Sequence, residues 1–444
     1  MKSIIRSLQH RNFRLYFLGQ GLSVTGTWMQ SVAVGWLVYR LTGSKAVLGL
    51  AVFSSQILTF VVAPFAGVLA DRWNRRRALI AAQALAMAQA FGLAAVAYTM
   101  PAEKVAHWVE IWPILALCLF TGLVRGIEVP TRHSFIVQML DDRKDLPNAI
   151  ALNSFLVHTA RVVGFTLAGP LIQAIGLHGE AKVLLLNGLS YGTIIMALAM
   201  MRIVPRRREV PAEAVLADLK QGWEYVWDTP TLRAVLLLLA LTSLVAVPYA
   251  EMLPAFAKDA HLLGGGPDTL SYLKGVAAGG ALLALVLLAY RRTAVSLGRI
   301  LVGGGVLFGL GLVAFGAVSW YWSSLPVSLA VLAWVGLAMT AQMYACNTLL
   351  QTTSDEDKRG RVMSFYTMAF MGVIPFGAIL MGWLAEVLDA ALAGLGPAYE
   401  GLGAPVVVAA GGAILMAGTL LLGGRLPKGI RAVPPTAEGI EPAE

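Results

Sequence analysis

Two ionisable side chains stand deep inside one of the apolar stretches of this sequence. Arg161 lies 13 residues into the run 148–175, and His158 comes three residues before it, on a similar helical face. At about 1.5 Å per residue, the arginine is about 20 Å from the start of a helix. A buried guanidinium keeps its charge, so it needs a carboxylate, carbonyl oxygens or an anionic ligand. A substrate or coupling role and a structural pairing are both open for Arg161. His158 titrates near neutrality and has the chemistry of a proton carrier, although a lone helical histidine more often packs or hydrogen-bonds. In the run 111–131, Arg125 and Glu128 are one turn apart and share a face.

Milder polar groups complete the set. The run 13–39 offers Gln20, Thr25, Thr27 and Gln30 but no carboxylate. Glu251 lies near the outer end of the run 231–255, as an external gate or a wetted helix end. Gln342 and Asn347, with Trp334, occur in the run 324–350 and could line a cavity. These types bind, gate and carry protons; they do not break bonds unaided. No nucleophile with a base, no phosphate-cradling loop and no metal-ligand spacing is present, and the six histidines are scattered. An enzyme is therefore not expected, and no cofactor or metal is implied.

The elements that must position these groups are membrane helices. Apolar residues make up 57% of the 444 and charged residues 13%, with a mean hydropathy of +0.71. A soluble chain of this length carries nearer ~25% charge. Twelve apolar runs can be placed, at 13–39, 46–70, 78–99, 111–131, 148–175, 182–204, 231–255, 268–290, 297–319, 324–350, 362–387 and 403–424. Each approaches the ~20 residues a spanning helix needs. The expectation is an all-α integral membrane protein with twelve transmembrane helices in two pseudo-symmetric six-helix bundles. Their limits are 1–204 and 231–426, with a linker at 205–230 and a disordered cytoplasmic tail at 427–444. Lys and Arg gather in the links on one side, which makes that side, and both termini, cytoplasmic. The net charge of +9 then reports topology and contact with anionic lipid, not nucleic-acid binding. No cleavable signal is expected, because Met1–Arg14 is basic and leads into a full span. Cys118 and Cys346 both fall in apolar runs and imply no disulfide. In the linker, Val215, Leu216, Leu219, Trp223, Val226 and Trp227 recur at helical spacing, as in an amphipathic helix tethering two halves. Gln138–Asn148 and Gln351–Arg361 are polar acidic–basic links whose starts are 213 residues apart, as a duplicated unit would show.

One link is far more basic than its length explains. Gly67-Val68-Leu69-Ala70-Asp71-Arg72-Trp73-Asn74-Arg75-Arg76-Arg77 separates the second and third runs. It resembles the Gly-x-Leu-x-Asp-Arg-x-Gly-Arg-Arg loop of the major facilitator superfamily. Asn74 stands where that family has glycine, and asparagine tolerates a left-handed backbone. Three further stretches narrow the resemblance: Trp36–Ser44; Asn148–Ser154, which leads to Ala160–Gly164; and Arg359–Ser364. Together they resemble the bacterial branch that includes enterobactin exporters and transmembrane secretion effectors, from about Phe13 to Leu426. The resemblance implies a monomeric carrier in the bacterial inner membrane that exports a small amphipathic molecule, with protons as coupling ion; uptake or uniport by the same fold, or a non-transporting membrane scaffold, is the alternative. It also implies a cytoplasmic gate of Gly67, Asp71, Arg72, Arg75, Arg76, Glu128, Arg359 and Arg361, with Asp71 facing the positive end of the eleventh helix. Arg125, His158, Arg161, Gln30, Thr27, Glu251, Gln342 and Asn347 remain as the substrate or coupling set. The Gly-Pro pattern of antiporters survives only as Gly169-Pro170, where small residues also allow close packing.

Overall fold

The structure, a computed structural model, describes residues 6–72, 74–101, 107–201, 215–289, 297–396 and 399–424. Its side-chain description omits residues 63–72, 108, 109, 134, 143 and 215–220. It is all helical. α1 (Arg11–Thr42), α2 (Lys45–Arg72), α3 (Arg75–Thr99), α4 (Trp112–Ile136), α5 (Leu146–Ile175) and α6 (Gly179–Met200) run alternately up and down. α7 (Val215–Asp228) follows, then α8 (Pro230–Val245), α9 (Tyr249–Lys258), α10 (Pro267–Ala289), α11 (Leu297–Tyr321) and α12 (Leu325–Thr353). α13 (Arg359–Thr367), α14 (Ile374–Ala393) and α15 (Gly403–Gly423) complete the order. Among the described residues, eleven segments are long and apolar enough to cross a membrane, with α8–α9 and α13–α14 each counted as one. α1 is not among them. It is 32 residues long, but Gly, Ser, Thr and Trp residues together with Gln20 and Gln30 dilute its hydropathy between Arg14 and Arg40. The end of the bundle where α1 begins is called the terminal face here, and the opposite end the distal face.

Local chemistry sets the turns. Gly43 takes a left-handed φ of 64° and its N–H closes on Tyr39 O, ending α1. Gly176, at φ 69°, does the same for α5. Asn74 keeps an extended φ of −66° and uses its side chain to accept from Arg77 N, so it serves as the N-cap of α3 and not as a left-handed hinge. The seventh apolar run is not one helix: it breaks at Ala246–Pro248, where proline has no N–H to continue the ladder. The eleventh changes pitch through a π turn at Met368–Gly372, ahead of Pro375.

Packing repeats itself along the chain. α2 lies on α4, α3 on α6 and on α4, as α10 lies on α12, and α11 on α15 and on α12. The two sets meet along α2–α14 and α5–α10, which correspond to each other under the same repeat. Glycines permit the closest crossings. A Cβ on Gly280 would stand 2.0 Å from Ala333 O, and one on Gly336 would stand 1.9 Å from Ala277 O. Across the seam between the sets, Gly169 packs its Cα against Pro267 O and its N–H donates to Ser271 Oγ at 2.6 Å. α7 packs on the second set: Val226 is buried, Tyr225 Oη accepts from Asp355 N, and Lys358 Nζ lies 4.4 Å from the Tyr225 ring.

Candidate functional site

Midway along α5, at the seam between the two sets, Arg161 lies over two aromatic rings. Its guanidinium carbon is 5.1 Å from the Trp28 ring of α1 and 5.4 Å from the Phe165 ring one turn on. Trp28 and Phe165 meet edge to face, with centroids 5.1 Å apart. From the other set, Tyr249 and Glu251 of α9 face Arg161. Lys274 of α10 completes the cluster, with Nζ 3.6 Å from Glu251 Oε2 and 5.7 Å from the Phe165 ring. The Lys274 side chain is 5% exposed and that of Glu251 28%. The break at Pro248 lets α9 turn Glu251 into this seam. His158, half-buried one turn before Arg161, makes no hydrogen bond among the described residues. Two N–H donors in the cluster, Arg161 Nε and Trp28 Nε1, are buried without a partner.

The other polar candidates hold helices together. Gln30 accepts from Asn187 Nδ2 at 2.7 Å and donates to Gln89 Oε1 at 3.2 Å, and Gln89 donates to Leu117 O. This buried amide chain ties α6, α1, α3 and α4. Thr27 donates to Ser23 O at 2.9 Å and lies 3.2 Å from Tyr191 Oη. Gln342 is fully buried and donates to Thr242 Oγ1 at 3.0 Å, tying α12 to α8. Asn347 accepts from Gln351 one turn on. None of these four contacts the Arg161 cluster through a described hydrogen bond.

At the terminal face, the side chains of Gly67, Asp71 and Arg72 lie outside the described residues. Arg76 donates Nε to Leu198 O at 2.7 Å and Nη2 to Ala199 O, the last carbonyls of α6. Glu128 pairs with Arg132 Nε at 3.1 Å and accepts from Gln83 Nε2 at 3.3 Å; Arg125 has no ion pair or hydrogen bond among the described residues. Nearby, Tyr16 Oη donates to Asn153 Oδ1 at 3.0 Å. Arg359 and Arg361 open α13, and Arg361 packs beside Gly222 of α7. Just before α1, His10 places its ring nitrogens 3.0 Å from Asp141 Oδ2 and 2.8 Å from Asp145 Oδ2. Burial works against a charged imidazole there, but the two carboxylates outweigh it and raise the pKa above its ordinary value.

The distal face carries an ionic latch between the sets. Lys45, the first residue of α2, reaches Asp389 of α14 at 2.5 Å and Asp259 beyond α9 at 3.4 Å. Tyr39 Oη donates to the same Asp259 at 2.6 Å. Glu386 caps α2, accepting from Lys45 N at 2.7 Å and Ser44 Oγ at 3.2 Å. Lys258 Nζ donates to Arg40 O, and Arg40 pairs with Glu180 at 2.8 Å. A cavity of about 330 Å³ lies on this latch, lined by Tyr39, Lys45, Lys258, Asp259, His261 and Glu400.

Several of these residues escaped the sequence reading. Lys45, Asp259, Glu386 and Asp389 occur at span ends, where charge is ordinary. Lys274 left a signal, a lysine inside the run 268–290. Arg132 was hidden because α4 continues to Ile136, beyond the expected end at 131. Among the described residues, no His, Cys, Asp and Glu cluster has the makings of a metal site.

Among the described residues, the arrangement joins the two sets through ion pairs and leaves buried cationic groups at their seam. The chain is 23% identical over 392 residues to the multidrug efflux pump Tap of Mycobacterium tuberculosis, covering 87% of this chain and 88% of that one. It is 25% identical over 408 residues to the enterobactin exporter EntS of Citrobacter koseri, covering 88% and 91%. In fold it is similar to a D-xylose–proton symporter, with a TM-score of 0.72, 15% identity and coverage of 94% and 98%. The model of the transmembrane secretion effector family matches residues 2–416. The chain is thus a multi-pass transporter of the bacterial inner membrane, not an enzyme, and it belongs to the transmembrane secretion effector family of the major facilitator superfamily.

Proposed function

We propose that this protein exports a small amphipathic molecule, a siderophore, drug or related metabolite, by alternating access in exchange for protons. In this reading α1 is the twelfth span, because its 32 residues pack lengthwise against α5 and α6. The terminal face is cytoplasmic: Arg6, Arg11, Arg14, Arg75, Arg76, Arg77, Arg359 and Arg361 belong to it, as the positive-inside bias requires. The carrier works as a monomer among anionic lipids. The observation that carries the proposal is the latch of Lys45, Asp259 and Asp389, which joins the two sets at the distal end of a seam holding Arg161, Glu251 and Lys274. Opening it while the terminal ends close would expose the same cluster to the other side. Asp71, Arg75, Glu128 and Arg361 then form the reciprocal gate, with Arg125 and His158 on the path between. Export is favoured over uptake by the two efflux relatives described above.

The test uses inside-out vesicles with an acid interior and a pH-sensitive dye. Catecholate siderophores and lipophilic cations are added in turn, comparing wild type with Arg161→Ala. Alkalinisation that needs both substrate and Arg161 is the expected result. Labelled compound that crosses without alkalinisation supports the second reading, a uniporter, which the absence of any carboxylate from α1 favours. No movement of any compound across a broad panel refutes export.

A further inference from the structure

Charge immediately around Arg161 does not balance among the described residues. Arg161 and Lys274 bring two positive charges, while among the described residues Glu251 is the carboxylate facing them, and it is paired with Lys274. His158 and Tyr249 are the other titratable groups facing the cluster, and neither supplies a negative charge near neutral pH. One positive charge is therefore left over, and it resides on Arg161. A charge at this depth is costly unless something compensates it. The two aromatic faces of Trp28 and Phe165 compensate only in part.

Hydrogen bonding shows the same imbalance independently. Arg161 Nε and Trp28 Nε1 are both buried and have no acceptor among the described residues. They belong to side chains in contact, on α5 and α1. Buried donors without acceptors are uncommon, because each forfeits a hydrogen bond it would make in water. A positive charge and spare donors beside the Trp28 and Phe165 rings are the complement of one ligand type. That ligand carries a carboxylate, phenolate or sulfonate next to a flat apolar ring.

Resting on the exporter reading given above, we propose that the Arg161–Trp28 site selects amphipathic organic anions, and that it rejects lipophilic cations of equal size. The acid of the ligand takes the place of a counter-ion on Arg161 and accepts from Trp28 Nε1, while its ring packs on the partly accessible Trp28. The Glu251–Lys274 pair remains intact and borders the site. A lipophilic cation would meet Arg161 and Lys274 with only one carboxylate between them, which is the wrong sign of field.

Fluorescein and rhodamine 123 share a xanthene core and differ in charge, so they separate charge selection from ring stacking. Binding is read by fluorescence anisotropy with the full chain in nanodiscs, and transport by dye accumulation in inside-out vesicles. Wild type is expected to bind fluorescein at least tenfold more tightly than rhodamine 123. Arg161→Gln is expected to lose that preference, and Arg161→Lys to keep most of it; gel filtration and thermal unfolding establish that each variant folds. Equal or tighter binding of rhodamine 123 by wild type overturns the proposal. So does a parallel loss of both dyes in Arg161→Gln, or the absence of fluorescein binding. Fluorescein that binds through Arg161 but never accumulates would overturn export and leave the anion site standing. Rhodamine 123 that accumulates without Arg161 would do the reverse.

Discussion

Lys45 is the residue whose loss should move the molecule furthest from the state described. It is the first residue of α2, a position where the helix dipole disfavours a cation. Three acids overrule that preference: Asp389 at 2.5 Å, Asp259 at 3.4 Å, and Glu386 on the helix N–H groups. The lysine side chain is 5% exposed, against 21% for Asp259 and 24% for Asp389. Removing one partner of a fully buried pair costs about 3–5 kcal/mol. Water reaches both carboxylates here, and Tyr39 Oη and Gly403 N still serve them, so about 2 kcal/mol is the appropriate figure for Lys45→Gln. That loss falls on the distal-closed state alone, and about 2 kcal/mol shifts a two-state population about thirtyfold. Spin labels at Leu177→Cys and Tyr321→Cys report the opening, since both positions are exposed at the distal face, on opposite sets. The buried native thiols are first removed as Cys118→Ala and Cys346→Ala. Lys45→Gln should add a longer distance, and Lys45→Gln combined with Asp389→Asn should take much of it away by removing an uncompensated charge. An unchanged distance distribution in a folded Lys45→Gln protein would refute the latch.

Arg76→Ala should lower unfolding free energy by about 1–2 kcal/mol, because charge-assisted bonds to the α6 carbonyls are lost at a partly wetted site; a pure gating role would leave stability alone and shift the spin-label distances instead. Gly280→Ala should destabilise by about 1–3 kcal/mol through its contact with Ala333 O, whereas Gly279→Ala next to it meets nothing and should be neutral or slightly stabilising; equal effects in thermal melts would contradict the packing described. The His10 tether should depend on pH. Its raised pKa means that its stabilisation is full below about 6.5, the unfolded value, and is lost as pH rises through the higher folded value. Asp145, held down chiefly by its hydrogen bond from His10, contributes above about 3.9 and loses its share as pH falls through its lower folded value. Amide exchange over residues 141–148, corrected for intrinsic rate, should therefore be slowest between those limits, and His10→Gln should abolish the upper transition.

Hydropathy made the helices legible, because a spanning segment must satisfy its backbone internally and present apolar side chains all round. It could not show breaks that keep the apolar run intact, as at Ala246–Pro248 and Met368–Gly372. The site was legible in proportion to how anomalous each residue is in hydrocarbon. Arg161 stood out, and it proves to lie at the seam between the two sets. Lys274 carried the same signal at the start of α10, but its place near a span end made it look ordinary. Amides gave the weakest signal: Gln30 and Gln342 look alike in sequence whether they line a path or staple helices, and partners decide which. The latch was illegible for the opposite reason. Lys45, Asp259 and Asp389 are charges where charges belong, and only the folded juxtaposition of α2, α9 and α14 gives them a joint role.

The sign of charge at the seam bears on what must drive the carrier. An anion leaving a cell whose interior is negative gains about 2.3 kcal/mol per charge per 100 mV. A lipophilic cation loses the same amount and needs a counter-ion to be expelled. An exporter of cations therefore requires an acid that exchanges cation for proton in the binding path. α1 has none, and Glu251 is committed to Lys274. An exporter of anions has no such requirement, since the membrane potential already acts on its cargo, and a proton taken up in exchange would add to that drive without being indispensable. If the cargo is an anion, the positive charge on Arg161 and the absence of a carboxylate from α1 have one explanation, in which the cargo supplies the negative charge.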